Sequence, residues 1–161
     1  MTTQLTTAQI AAWNAQQDRR VADIIREHGC FIQAVMGEQR TPPFAYTVGL
    51  FGLGHPELIV FGLDHVSAGV VLNWFFDHVR GGEELTPGEI VQPPGADDRF
   101  LVEAFPDPWT LYAANRHYRR RRGAPVQAYQ LTWAVNGGSL RRWLPNAEWL
   151  QPRPGQHVVQ R

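Results

Sequence analysis

The sequence contains no lysine, because all 15 basic residues counted as Lys and Arg are arginine. A chain without lysine can form neither a lysine Schiff base nor the lysine-dependent phosphate loop of many nucleotide-binding enzymes. Cys30 is the only cysteine, so the chain can form no intrachain disulfide and no cysteine-based zinc cluster. A single cysteine also fits a reducing compartment.

Long hydrophobic runs are missing too. The most apolar stretch, residues 66–76, is interrupted by Asn73 and is far shorter than the roughly 20 residues of a membrane span. The first nine residues are polar and lack the apolar core of a signal peptide. The sequence therefore predicts a cytoplasmic protein with no membrane partner.

The chain is long enough for one ordinary domain with a hydrophobic core, at 161 residues of which 43% are hydrophobic. Local patterns predict helices and strands, the helices at residues 8–28, 64–80 and 108–117 and the strands at 30–36, 44–50, 57–61, 89–92, 99–105 and 126–135. Two apolar pairs, Ile10 with Trp13 and Val66 with Val70, are predicted to face the core from the first two helices.

Loops without crossover helices join the first three predicted strands. The pattern therefore predicts an α+β fold in which two or three helices pack on an antiparallel or mixed sheet. A barrel-like sheet is one alternative. We expect a single domain over residues 1–161, with a flexible start at 1–7 and a coil-like tail at 143–161 that wraps the surface. The order of strands and helix also resembles split barrels that bind flavin, so flavin is one candidate ligand by analogy.

Several short blocks carry a family resemblance. Residues 43–50 read Pro-Phe-Ala-Tyr-Thr-Val-Gly-Leu, and residues 54–60 read Gly-His-Pro-Glu-Leu-Ile-Val. Together with residues 28–35, 85–88 and 130–133, they resemble a bacterial family known as domain of unknown function 4262, over roughly residues 25–135. The resemblance implies a shared fold and no particular activity. The chain departs from the family pattern at residues 134–135 and 142–145.

The best candidate for a ligand site lies in this resembling region, at Tyr46, Thr47, His55 and Glu57. Loop residues between strands are well placed for binding, and the small residues on the Thr47 face of its strand would leave room for a flat ligand or a close helix. The alternative is that His55 orders its loop and the others only pack. The sequence favours a small-molecule-binding domain, with enzymatic activity left open and no catalytic residue assigned.

A second candidate site follows from charge. Residues 1–107 hold six arginines and 14 acidic residues, a net charge of −8, whereas residues 108–161 hold nine arginines and one acidic residue, a net charge of +8. The densest run is predicted to bind anions and consists of Arg116, Arg119, Arg120, Arg121 and Arg122. Arginine binds phosphate and stacks on bases, which favours nucleic acid or an acidic protein as the partner. The alternatives are a solvated helix end and attraction between the two halves of the fold.

Metal and thiol chemistry have weak signals. His55-Pro56-Glu57 matches the start of the zinc deaminase motif, but the chain lacks the two cysteines that the motif also needs. The histidines show no metal-ligand spacing, so no metal site is predicted. Cys30 begins an apolar strand, which is typical of a buried, unreactive thiol.

Overall fold

The computed structural model describes residues 4–39, 41–121, 123–134 and 151–155. Within these residues the chain forms three α-helices and six β-strands: α1 Thr7–His28, β1 Phe31–Val35, β2 Phe44–Val48, β3 Glu57–Phe61, α2 His65–Arg80, β4 Ile90–Val91, β5 Arg99–Ala104, α3 Tyr112–His117 and β6 Ala128–Ala134. Most of the predicted tail, Arg122 and the first three residues lie outside the described ranges.

The strands form one open mixed sheet in the order β1-β2-β3-β6-β5-β4. The β3–β6 pair is parallel, and the other neighbouring strands are antiparallel. The predicted α+β fold with a mixed sheet is therefore confirmed. The barrel-like form is wrong, because β1 and β4 lie at opposite edges and do not pair with each other.

Helix α2 packs on one face of the sheet through four buried side chains, Ala68, Leu72, Phe75 and Phe76. The prediction that Val66 and Val70 face this core is wrong, since they are 63% and 67% exposed. Apolar residues surround most of α2, so its periodicity could not identify the buried side. The four buried residues occupy the side towards the sheet and leave the two valines on the solvent side.

Helices α1 and α3 pack on the opposite face, around a second core that includes Val21, Leu111 and Ala114. The prediction that Ile10 and Trp13 are packed is wrong, since they are 47% and 58% exposed. Helix α1 has 22 residues and is about 33 Å long, whereas the adjacent five-residue strands span about 17 Å. Only the C-terminal half of α1 therefore finds a surface to cover.

The predicted helix at residues 108–117 is divided in two. Pro108–Thr110 forms a single 3-10 turn, and α3 begins after Leu111, whose backbone angles (φ −81°, ψ 63°) are not helical. This break lets the Leu111 side chain enter the second core, where it is fully buried. Among the described residues, no helix is long and apolar enough to cross a membrane.

Candidate functional site

The Glu57 carboxylate is buried at the start of β3 and accepts four hydrogen bonds. Backbone N–H groups of Gly49 and Phe51 donate to Oε1 at 2.9 and 3.0 Å, and that of Leu50 donates to Oε2 at 3.2 Å. The Thr47 hydroxyl donates to Oε2 at 2.6 Å. We call this arrangement the Glu57 cage. It uses one carboxylate to hold the whole turn that leaves β2.

The cage compensates a large desolvation cost. Burial raises the pKa of Glu57 above its usual range, and the hydrogen bonds from Thr47 and the three backbone amides lower the pKa in part. A buried carboxylate without such donors would cost several kcal/mol, of order 5 or more. Glu57 therefore supports the fold of the turn, and its charge is not presented to solvent.

Gly49 is required for this turn by its backbone. Its φ of 149° is one that L side chains rarely adopt, and a Cβ atom there would lie 2.6 Å from the Gly29 carbonyl oxygen. The turn after β2 therefore packs directly against the end of α1, at a distance that only glycine allows.

The hydroxyl groups of Tyr46 and Thr47 also form their hydrogen bonds inside the protein. The Thr47 hydroxyl, besides donating to Glu57, accepts a hydrogen bond from the Leu58 N–H at 2.9 Å. The Tyr46 hydroxyl accepts from the Ala113 N–H of α3 at 2.9 Å, and burial raises the pKa of Tyr46 to about 12. Both side chains are at most 2% exposed. Each one joins β2 to a neighbouring element.

The small residues on the Thr47 face of β2 make room for a helix. Ala45 is 1% exposed and belongs to the same core as Ala68 and Phe76 of α2. Of the two alternatives that the sequence leaves open for this face, the structure contains the close helix.

His55 connects the turn before β3 with the loop after α2. Its Nδ1 lies 2.7 Å from the Pro56 carbonyl oxygen, which can only accept, so Nδ1 carries the hydrogen. Nε2 then accepts from the Leu85 N–H at 3.3 Å. The ring also meets Tyr129 edge-on, with 5.8 Å between ring centroids. His55 is therefore held between two loops, with its hydrogen on Nδ1.

A cleft opens beside His55, and we call it the His55 cleft. It has a volume of about 400 Å³ and is lined by Leu53, Gly54, His55, Val79, Arg80, Gly82, Glu83 and Glu84. Of the four residues predicted as ligand-binding, His55 lines this cleft, whereas the polar atoms of Tyr46, Thr47 and Glu57 bind within the protein. A more apolar cleft of about 370 Å³ lies between the β1–β2 turn and the start of α2.

The predicted anion-binding arginines divide into two groups. Arg116 binds Asp18 of α1 through two hydrogen bonds of 3.0 and 2.7 Å. Arg120 donates to the Ala124 carbonyl at 2.7 Å, and its guanidinium lies 4.9 Å from the centroid of a phenylalanine ring. Arg119 and Arg121 are exposed, and Arg122 lies outside the described residues.

A polar cluster on β5 and β6 was not predicted from the sequence. Glu103 of β5 is 1% exposed and accepts from the Thr132 hydroxyl at 2.6 Å and from Arg153 Nε at 2.8 Å. The Gln151 side chain binds both the N–H and the carbonyl of Trp133. A charged residue alternating with apolar ones in a strand is the only signal, and it usually indicates a solvent-facing position.

Metal and thiol chemistry find no support in the described part of the chain. No group of three or more His, Cys, Asp or Glu side chains there could hold a metal ion. Burial raises the pKa of the Cys30 thiol to about 12, which keeps it protonated and unreactive at neutral pH.

Comparison with known proteins gives one result. The family described as "Domain of unknown function (DUF4262)" matches residues 24–144, so the chain belongs to this family. No curated protein and no solved structure matches the chain.

Proposed function

We propose that this member of the DUF4262 family binds a small polar molecule with a cationic group in the His55 cleft. The observation that carries the proposal is the buried polar network behind the cleft. The Glu57 cage fixes the turn that leads to Leu53 and Gly54, and the His55–Leu85 hydrogen bond ties that turn to the loop after α2. Buried networks of this kind give a binding site rigid walls.

The size of the cleft supports a small ligand. Its volume of about 400 Å³ falls within the range of roughly 300–1,000 Å³ that is usual for small-molecule pockets. The cleft is open on one side and largely polar. A compact, water-soluble molecule therefore fits it better than a large apolar one.

The charges of the lining support a cationic ligand. Glu83 and Glu84 are both exposed on the loop wall, whereas the lining arginine, Arg80, is paired with Asp77 at 3.1 Å. Because the charge of Arg80 is balanced by Asp77, the two loop carboxylates give the cleft a negative potential. This potential attracts amines or guanidinium groups.

The test is a titration of the full chain with a panel of small amines (putrescine, choline and free arginine), followed by ¹H–¹⁵N NMR. We expect shifts confined to residues that line the His55 cleft. Replacing both loop carboxylates (Glu83→Gln with Glu84→Gln) should weaken binding at least about tenfold, because each contributes a charge-assisted hydrogen bond.

The matched control replaces two exposed carboxylates that lie outside the cleft (Glu27→Gln with Glu38→Gln) and should leave binding unchanged. If no amine of the panel perturbs the cleft residues, or if the control weakens binding as much, the proposal is wrong.

A further inference from the structure

Only part of the positive charge of the arginine-rich segment is paired within the fold. Asp18 is the one carboxylate that the described residues pair with this cluster, and Arg116 binds both of its oxygens. The Arg116 hydrogen bond is the main cause that lowers the pKa of Asp18, and the positive charge of Arg119 adds to the effect. Among the described residues, no carboxylate forms an ion pair with Arg119, Arg120 or Arg121.

The local backbone directs two of these charges outwards. Arg119 has a φ of 50°, which turns the chain after α3. Arg120 follows and packs inwards, over the Phe51 ring and onto the Ala124 carbonyl. Arg119 and Arg121, on either side of it, are exposed and form no ion pair with any described residue.

Two aromatic side chains are exposed on the same segment. Tyr112, in the first turn of α3, is 60% exposed, and Trp109, in the preceding 3-10 turn, is 42% exposed. Arg116 holds Tyr112 in place with a hydrogen bond of 3.2 Å to its hydroxyl and a guanidinium 5.7 Å from its ring centroid. Helix α3 has six residues and is about 9 Å long, so these rings lie within a short distance of the exposed arginines.

The geometry points to a binding site for single-stranded nucleic acid on the α3 surface, which comprises Trp109, Tyr112, Arg119 and Arg121. In this site the exposed arginines contact phosphates, and the aromatic rings stack on unpaired bases. Exposed rings beside arginines favour a single strand over an acidic protein, which offers no bases for stacking. They also favour it over a duplex, whose bases are already stacked on one another and are not free to stack on the rings.

The experiment is fluorescence anisotropy of the full chain with a labelled oligo(dT) of 12 nucleotides over a range of salt concentrations. We expect log K to fall linearly with log[salt], with a slope of about −0.7 for each phosphate contact. Replacing both exposed arginines (Arg119→Gln with Arg121→Gln) should make the slope shallower by about 1.4 and weaken binding at least about tenfold at low salt.

Stacking is tested separately from charge. Tyr112→Ala should weaken binding roughly 5- to 150-fold, whereas Tyr112→Phe keeps the ring, loses only the hydrogen bond from Arg116 and should weaken binding by less than about threefold. The matched control is Arg26→Gln, which removes an exposed arginine from α1 that belongs to neither proposed site and should leave both affinity and salt slope unchanged. Circular dichroism and the melting temperature of each variant show whether it is folded.

Three outcomes would overturn the inference. The first is no binding of oligo(dT) at about 50 mM salt, where contacts to phosphate are strong. The second is equal binding by polyglutamate or by duplex DNA, which would make the surface a site for acidic protein or for any polyanion. The third is a folded Arg119→Gln, Arg121→Gln variant with unchanged affinity and slope.

Discussion

Replacing Glu57 with glutamine tests the role of the cage most directly. Glutamine has nearly the same shape, but its amide nitrogen donates where one carboxylate oxygen accepted. The least costly orientation places this nitrogen at the Oε2 position, because the Thr47 hydroxyl can rotate to accept from it. The Leu50 N–H, which donates to Oε2 at 3.2 Å, then loses its partner.

The magnitude follows from these contacts. An unsatisfied buried N–H costs about 1–3 kcal/mol, and the remaining bonds lose the extra strength of a charged acceptor. The neutral glutamine side chain offsets part of this loss, because it avoids the desolvation cost of a buried charge that raises the pKa of Glu57. We expect Glu57→Gln to lower the free energy of unfolding by about 2–3 kcal/mol, and Glu57→Ala, which leaves all three backbone donors unpaired, by about 4 kcal/mol.

The assay is equilibrium urea unfolding at pH 7, followed by tryptophan fluorescence and circular dichroism. Glu38→Gln, on the exposed β1–β2 turn, is the control and should stay within about 0.5 kcal/mol of the wild type. Thr47→Val should show a coupling of at least about 1 kcal/mol with Glu57→Gln in a double-mutant cycle. A Glu57→Gln variant as stable as the control, or a cycle without coupling, would refute this account of the cage.

Three further predictions concern His55, the glycines of the turn after β2 and the Asp18–Arg116 pair. His55→Ala should cost about 1–3 kcal/mol and speed amide exchange in the loop after α2, measured by hydrogen–deuterium exchange. Gly49→Ala should cost more than about 3 kcal/mol because its Cβ would collide with backbone, whereas Gly54→Ala, with open space around it, should cost about 1–2 kcal/mol; melting curves compare them. Asp18→Asn should cost about 0.5–1 kcal/mol at pH 7 through the loss of its partly exposed pair with Arg116.

The sign of the pH dependence follows from the Asp18 pKa, which is lower in the folded protein than in the unfolded chain. The stability that Asp18 contributes is therefore present above the unfolded pKa of about 3.9 and is lost as the pH falls through the folded pKa. The stabilities of wild type and Asp18→Asn, measured by urea unfolding, should converge once the pH is below the folded pKa of Asp18. A difference that persists there, equal costs for the two glycine variants, or unchanged exchange in the His55 variant would contradict these predictions.

Strand positions could be read from the sequence because their signals are local. The apolar run at residues 57–61 is bounded by Pro56 and Gly62, and β3 has those same limits. The break inside the predicted third helix could not be read, because Leu111 leaves helical geometry only to reach a core made by distant strands. The exposure of the two α2 valines could not be predicted either, since a helix with apolar residues on most of its sides does not reveal which side meets the sheet.

Local patterns in the sequence were enough to predict the class of fold, the positions of the strands and turns, and the family resemblance, because apolar periodicity and Gly or Pro residues at turns act over a few residues. The roles of the polar residues, in contrast, depend on tertiary contacts that no local pattern predicts. The partners of Tyr46, His55 and Arg116 lie 67, 30 and 98 residues away along the chain. A hydrogen bond depends on distance in space, so folding alone decided that these side chains support the cleft and the α3 surface from within.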